Sequence, residues 1–314
     1  MNFTIVYLTN RRDCRFEWFY ASLMRQAAGV RDFKLVVVDF YAEERPPEMR
    51  AQADVWTPPK PTVWQGPHRL TSRDYFSPSN ARNTGLCFAE GSHVVFADDL
   101  SVLTDPWLAI VRDEVAQGHK RVVLGRYTKV IDLTVGTDPE DPATYGQVVS
   151  YGPWPAGEDH RYDPAHGVSM VAATGAWMYG ASVCVPLEAM LQINGFDEDC
   201  DSMGGEDYAA GLMMEQHGWE LVYHQGMWTL EDEMLHHMET PFKRLIKHKT
   251  PESRFAERDA SLHYLNLVRL RGRKRAPNYA DMTDLRRRVL SGEPFPVSQI
   301  PEHDWRDGQP LREM

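Results

Sequence analysis

Two groups of carboxylates stand out as residues that could do chemistry. The first closes the run Val94-Val95-Phe96-Ala97-Asp98-Asp99-Leu100, in which an apolar stretch ends in adjacent acids. Carboxylates at a strand exit are hard oxygen donors, and Mg²⁺ or Mn²⁺ bind through one or two of them plus the phosphates of a substrate. Taken alone, the pair reads equally well as an ordinary turn-former. The second group is Gly204-Gly205-Glu206-Asp207. Acids at the start of a helix are favourable in any protein. That explains Glu206 and Asp207 but not the double glycine before them, which would let a ligand approach the backbone closely. Ahead of the first group lies Asn80-Ala81-Arg82-Asn83-Thr84-Gly85. The Arg82 guanidinium suits phosphate oxygens, although an arginine on an amphipathic helix is commonly just solvated.

These residues need a scaffold, and the chain alternates strand-like runs with helical periods. Phe3 to Leu8 and Leu35 to Val38 read as strands, the second ending in Asp39. Phe16, Phe19, Tyr20, Leu23, Met24 and Ala27 recur on one helical face. Ser79 is expected to cap a helix through Ala81 and Gly85. Val94–Phe96 and Val122–Leu124 are further strands, with a helix from Trp107 to Val115 between them. Such alternation predicts an α/β fold with a mostly parallel central sheet and helices on both faces. Ligands then collect beyond the carboxyl ends of the strands, where Asp39, Asp98 and Asp99 fall.

Residues 138–169 are rich in Pro, Gly and Asp without a period, as expected of a functional or mobile loop. A strand is expected over Ala176–Val185, a short helix through Leu187, Met190 and Leu191, a helix opening at Glu206 and a strand at Glu220–Tyr223. Arg254–Val268 has a helical pattern, and the last residues are expected to trail loosely.

A hydrophobic fraction of 42% and a charged fraction of 25% describe an ordinary globular protein able to build a core. No apolar run reaches the length of a membrane span, so no membrane partner is expected. Cys14, Cys87, Cys184 and Cys200 are scattered and read as reduced thiols of a cytoplasmic protein. The net charge of -11 argues against a general nucleic-acid coat. Against that background Arg271, Arg273, Lys274, Arg275, Arg286, Arg287 and Arg288 form a local basic island.

Together the motifs resemble the inverting GT-A glycosyltransferases, family 2-like with a galactosyltransferase-like acceptor half. Ala81-Arg82-Asn83-Thr84-Gly85-Leu86 followed by Phe96-Ala97-Asp98-Asp99 is similar to that superfamily's donor half. Asn194-Gly195-Phe196-Asp197-Glu198 followed by Gly204-Gly205-Glu206-Asp207-Tyr208 is similar to its acceptor half, in the expected order. The resemblance implies a domain over residues 1–250, with a donor half over about 1–130 and an acceptor half over about 170–250. A helical, basic extension and tail over 251–314 would follow.

The same resemblance implies roles. Asp207 would be the general base that takes the acceptor hydroxyl's proton, with Glu206 holding an acceptor hydroxyl and Gly204 and Gly205 beside it. Thr9, Asn10 and Arg11 would sit by the base of the donor, Asp39 at the uracil or ribose, and Arg82 at the diphosphate. Many relatives read Asp-x-Asp, whereas the third position here is Leu100. Asp99 is then the implied ligand of a Mn²⁺ or Mg²⁺ cofactor, with Asp98 toward the ribose or sharing the ion. His237, with His236 next and His224 behind, would complete the metal shell. Trp177 and Tyr179 match acceptor- or sugar-stacking aromatics, a role that simple core burial rivals.

The expected function is sugar transfer from a nucleoside diphosphate sugar, a UDP-sugar first, to a glycan hydroxyl. A second acceptor is hydroxymethylated DNA, because Val63-Trp64-Gln65-Gly66-Pro67-His68-Arg69-Leu70 resembles stand-alone phage and bacterial transferases and the basic island suits a phosphate backbone. A catalytically inactive nucleotide-sugar-binding module is the reading of another class, favoured by the missing third acid and opposed by Glu206-Asp207.

Overall fold

A computed structural model describes residues 1–61, 77–153, 159, 161, 168–202, 204–237, 268, 271–278 and 280–296. The first half runs β1 (Phe3–Thr9), α1 (Phe16–Ala27), β2 (Phe33–Asp39), α2 (Pro47–Arg50), β3 (Val55–Thr57), α3 (Pro78–Cys87) and β4 (His93–Asp98). Then come β5 (Ser101–Leu103), α4 (Trp107–Gln117) and β6 (Arg121–Val130). The second half holds β7 (Thr134–Val135), β8 (Val148–Ser150), β9 (Met170–Ala172), β10 (Ser182–Pro186) and α5 (Leu187–Gln192). It continues with α6 (Glu206–Gln216), β11 (Glu220–Asp232), α7 (Glu233–His237) and α8 (Met282–Leu290).

The main sheet runs in the order β3-β2-β1-β4-β10-β6-β11-β5, with β9 added to β11. From β3 to β4 every pairing is parallel, as strand–helix alternation requires. Beyond β4 the sheet is mixed: β10 lies antiparallel between β4 and β6, while β6 and β11 run parallel.

Side chains of each strand alternate between two apolar layers, so no polar alternation is visible in the sequence. From β1, Val6 and Leu8 join a layer with Ala81 and Leu86 of α3 and Met213 of α6. Phe3, Ile5 and Tyr7 face Phe16, Phe19 and Leu23 of α1 and Trp107 of α4 on the other side.

Four expectations change. The cap of α3 is not Ser79: Pro78 takes the first turn, and the Asp201 carboxylate accepts the amides of Ser79 (2.7 Å) and Asn80 (3.2 Å) from far along the chain. The strand expected from Ala176 begins only at Ser182, because Gly175–Trp177 forms a short 3-10 turn. That turn sits on α6 at Gly211, so close that a Cβ at Gly175 would lie 2.4 Å from the Gly211 carbonyl carbon. The strand at Glu220 continues to Asp232, past a bulge between His224 and Trp228 that breaks its alternation. The passage expected to be a loop contains β8, which pairs back to β7 just ahead of the passage, and a buried Asp159–Arg161 ion pair at 2.6 Å.

Residues beyond the boundary expected near residue 250 contribute to the core. Ala276, Met282 and Leu285 are buried in the layer around α3 and α6. The helical pattern over residues 254–267, the segment 63–70 and the tail 297–314 lie outside the described residues. Among the described residues no helix is long and apolar enough to cross a membrane.

Candidate active site

The parallel register sets the first group of candidates side by side. Thr9 pairs with Asp39 and Leu8 with Asp98, so the ends of β1, β2 and β4 form one ledge. Asp98 stands in its opening, while Asp99 turns inward and is buried. Thr9 donates its hydroxyl to Asp99 at 2.6 Å, and the Arg11 Nε reaches the same carboxylate at 3.1 Å. Asn10 is buried between them in the chain.

Leu100 explains the missing third acid. It adopts a left-handed φ of 59° with its side chain fully buried, turning the chain from β4 into β5. A carboxylate there would enter the core. The acid that does approach Asp99 is Glu231, which β5–β11 pairing places opposite Ser101. Glu231 accepts from Tyr127 and holds His236 Nδ1 at 2.5 Å. Burial pushes the Asp99 carboxyl up to about 6; Arg11 and Thr9 oppose this, and Glu231 and Asp98 add to it.

His236 therefore turns to Glu231, and its carbonyl accepts from Arg11 at 3.1 Å. The side chain of His237 lies outside the described residues. His224 accepts the Gly226 amide at 3.2 Å within the bulge. Asp232 caps α7 by accepting the Leu235 amide at 2.8 Å. No group of three or more His, Cys, Asp or Glu side chains is arranged to hold a metal among the described residues. Carboxylates such as Asp98, partly open, and Asp99, enclosed by Arg11 and Thr9, are the kind of hard oxygen donor that Mg²⁺ or Mn²⁺ takes, with phosphate and water able to supply the remaining ligands.

The second group meets the first through Arg82. From α3, one terminal nitrogen holds Asp98 at 2.9 and 3.1 Å, and the other holds Glu206 at 2.7 Å. Asp207 follows Glu206 at the start of α6, behind Gly205 in a left-handed N-cap with φ 87°. Its carboxylate accepts the Gly180 amide at 3.3 Å and its neighbour Tyr208's at 2.8 Å. Burial pushes this carboxyl up to about 7, Glu206 adding to the effect and Arg82 opposing it. Gly204 is exposed with open space around its Cα.

Asp39 is fully buried and already engaged: it accepts from Arg45 at 2.7 Å, Trp56 at 3.1 Å and the Tyr41 amide at 2.8 Å. Trp177 is half-buried, edge-on to Tyr223 at 6.2 Å, and packs against the core. Tyr179 lies under the Arg161 guanidinium at 4.3 Å and reaches the Tyr208 hydroxyl at 3.3 Å.

No family model and no curated protein sequence matches the chain. Solved structures do match. Residues 1-349 of S. aureus TarS in complex with UDP-GlcNAc align with a TM-score of 0.52 at 13% identity, over 85% of this chain and 67% of that one. The same part of TarS with UDP gives 0.51 at 15% identity, over 85% and 71%. GalNAc-T7 with UDP, GalNAc and Mn²⁺ gives 0.50 at 12% identity, over 93% and 58%. The chain has the GT-A glycosyltransferase fold. It spans only 43% of the longer TarS chain, and identities this low carry the GT-A arrangement and not the chemistry.

Within the GT-A frame, sequence reasoning missed Glu231, Tyr127, Gly180, Arg45 and Asp201, which surround the candidate residues. Glu231 had a signal, the apolar run Met227–Leu230 leading to it, but the bulge hides its phase. The basic island divides: two of its side chains reach distant parts of the chain, and three pair with acids close by in sequence. Arg273 faces Asp197 at 3.8 Å, and Arg275 pairs with Asp281. Arg286 donates to the Ala89 carbonyl at 2.8 Å, Arg287 pairs with Asp284 at 2.6 Å and Arg288 with Glu293 at 2.8 Å.

Proposed function

We propose that this protein is a metal-dependent, inverting glycosyltransferase that moves a sugar from a UDP-sugar to a glycan hydroxyl. One observation carries the reading: Arg82 joins Asp98, at the strand ends where α/β sheets take ligands, to Glu206 beside Asp207. The UDP bound in the TarS and GalNAc-T7 complexes supports uridine donors, and the Mn²⁺ of the latter supports a divalent ion.

In this reading the Asp207 carboxylate takes the acceptor hydroxyl's proton as that oxygen bonds to the anomeric carbon. The bond from that carbon to the diphosphate oxygen breaks, and its electron pair leaves with UDP. A carboxyl near 7 is matched to this work at neutral pH. Glu206 orients an acceptor hydroxyl, with Gly204 and Gly205 leaving room for it and Trp177 flanking the acceptor. Thr9, Asn10 and Arg11 line the nucleoside end, with Asp39 behind them and Asp98 toward the ribose. Asp98 and Asp99, with His236 or His237, would hold Mn²⁺ or Mg²⁺, which when bound neutralises the leaving diphosphate. Four free, buried cysteines support a reducing compartment, and we place the protein in the cytoplasm.

A glycan is preferred to hydroxymethylated DNA because Arg273 and Arg286 of the basic island are drawn into the fold and Arg275, Arg287 and Arg288 already face a carboxylate each. The test is a thermal-shift screen of UDP-sugars with and without Mn²⁺, followed by transfer to glycans and to duplex DNA carrying 5-hydroxymethylcytosine. A donor at about a hundred times its Kd stabilises the folded state by about 2.7 kcal/mol. The shift is expected only with metal. Full transfer in chelator overturns the metal, and transfer to the hydroxymethylated duplex alone, weakened steeply by salt, overturns the glycan.

A further inference from the structure

We propose that Arg82 is a positioning residue that ties the donor end of β4 to the acid pair opening α6, and that it does not bind the donor's diphosphate. The inference rests on the glycosyltransferase reading above and changes the role which the sequence resemblance implies for this arginine.

The guanidinium has no free edge to offer a phosphate. Arg82 is 3% exposed, and both terminal nitrogens are held, one by Asp98 and the other by Glu206. The Phe196 ring lies 5.4 Å from its central carbon. Its Nε is buried without a hydrogen-bond partner among the described residues. A side chain that leaves a donor unmet while stretching between two carboxylates is placed by those carboxylates.

Gly180 closes the remaining side. A Cβ there would lie 2.2 Å from the Arg82 terminal nitrogen, so only glycine lets the backbone pass. The amide of this same residue donates to Asp207 at 3.3 Å. Arg82, Gly180, Glu206 and Asp207 are therefore one packed unit, and a guanidinium that shifts must disturb the carboxylate beside it. Burial favours the Asp207 proton most, Glu206 on its own helix adds to this, and Arg82 on α3 and the amides of Tyr208 and Gly180 disfavour it. Asp98 acts on Arg82 from β4, and the hydroxyls of Tyr208 and Tyr179 meet nearby at 3.3 Å.

The experiment compares wild type with Arg82→Lys, Arg82→Gln and Gly180→Ala. UDP binding with Mn²⁺ is measured by calorimetry, and kcat is followed across pH with a UDP-sugar that the wild type turns over. All three variants are expected to bind UDP within about threefold of wild type while kcat falls by about a hundredfold, as a misplaced catalytic group would cause. Arg82→Gln removes a cation near Asp207, so the acid limb of its kcat profile should move up by about one pH unit. Arg82→Lys keeps the charge and should restore the limb without restoring kcat. If Arg82→Gln fails to fold, Gly180→Ala carries the test, because it displaces the guanidinium and keeps its charge.

Loss of UDP affinity by more than about tenfold in the arginine variants, with the acid limb unmoved, would make Arg82 a phosphate ligand and overturn the proposal. A wild type that neither binds UDP nor turns over any UDP-sugar sinks the glycosyltransferase reading itself.

Discussion

Burial raises the Asp207 carboxyl to about 7, with Glu206 adding to the effect and Arg82 opposing it. If this group is the base, kcat should climb with pH through about 7 and then level off. Asp207→Asn should keep UDP binding and lose at least about a hundredfold in turnover, the low end of general-base contributions. The same shift has an opposite consequence for stability. The folded value lies above the ordinary 3.8, so ionisation is harder in the folded chain. Folding then weakens as pH rises between those two values, and the cost is fully present above about 7. Asp207→Asn should therefore melt higher than wild type at pH 8 and show little difference at pH 4. Equal melting at both values, or near-native turnover, would reduce Asp207 to a helix-end acid and move the base to Glu206.

Helix α3 carries Arg82, and its first turn is held by a residue remote in sequence. Burial, with Glu198 and Glu206 nearby, pushes the Asp201 carboxyl well above the usual carboxylate range, yet its oxygens take the Ser79 and Asn80 amides. Asn83, one residue after Arg82, donates to the Phe196 carbonyl at 2.8 Å and to Glu198 at 2.9 Å. The helix is thus pinned to the segment Phe196–Asp201 at its start and middle. Asp201→Ala leaves two buried amides unpaired, which should cost about 1–3 kcal/mol in urea unfolding. Because the helix start moves with it, turnover should fall at temperatures where the variant is still folded. A variant as stable and active as wild type would mean that water replaces the carboxylate without loss.

The whole molecule closes around its C-terminal segment. Asn278 donates to the carbonyls of Asn194 (2.7 Å) and Phe196 (2.8 Å) and accepts the Glu198 amide at 2.9 Å. Ala276, Met282 and Leu285 fill the layer between α3 and α6. Losing a buried Leu or Met side chain costs about 2–5 kcal/mol each, comparable with the stability of a domain. A chain ended after residue 250 should consequently lose its near-UV circular dichroism and cooperative melting. A truncated protein with both intact would show that residues 1–250 suffice, as the sequence motifs by themselves suggest.

The features legible along the chain are those that depend on neighbours in sequence. Alternating strand and helix periods, the acids closing β4, and the double glycine before Glu206-Asp207 are all local, and each lies where the reading put it. Tertiary structure decided everything that needs partners distant in sequence. Asp39 is sealed by Arg45 and Trp56, Asp99 is drawn to Arg11 and Thr9, and the cap of α3 comes from Asp201. Glu231 reaches the site only because a bulged strand runs beside β5 and β6. The physical reason is that charge–charge contacts and burial act through space. In the run Arg271–Arg288, Arg273 meets Asp197 and Arg286 the Ala89 carbonyl only through folding, and no local pattern marks those two apart from their neighbours.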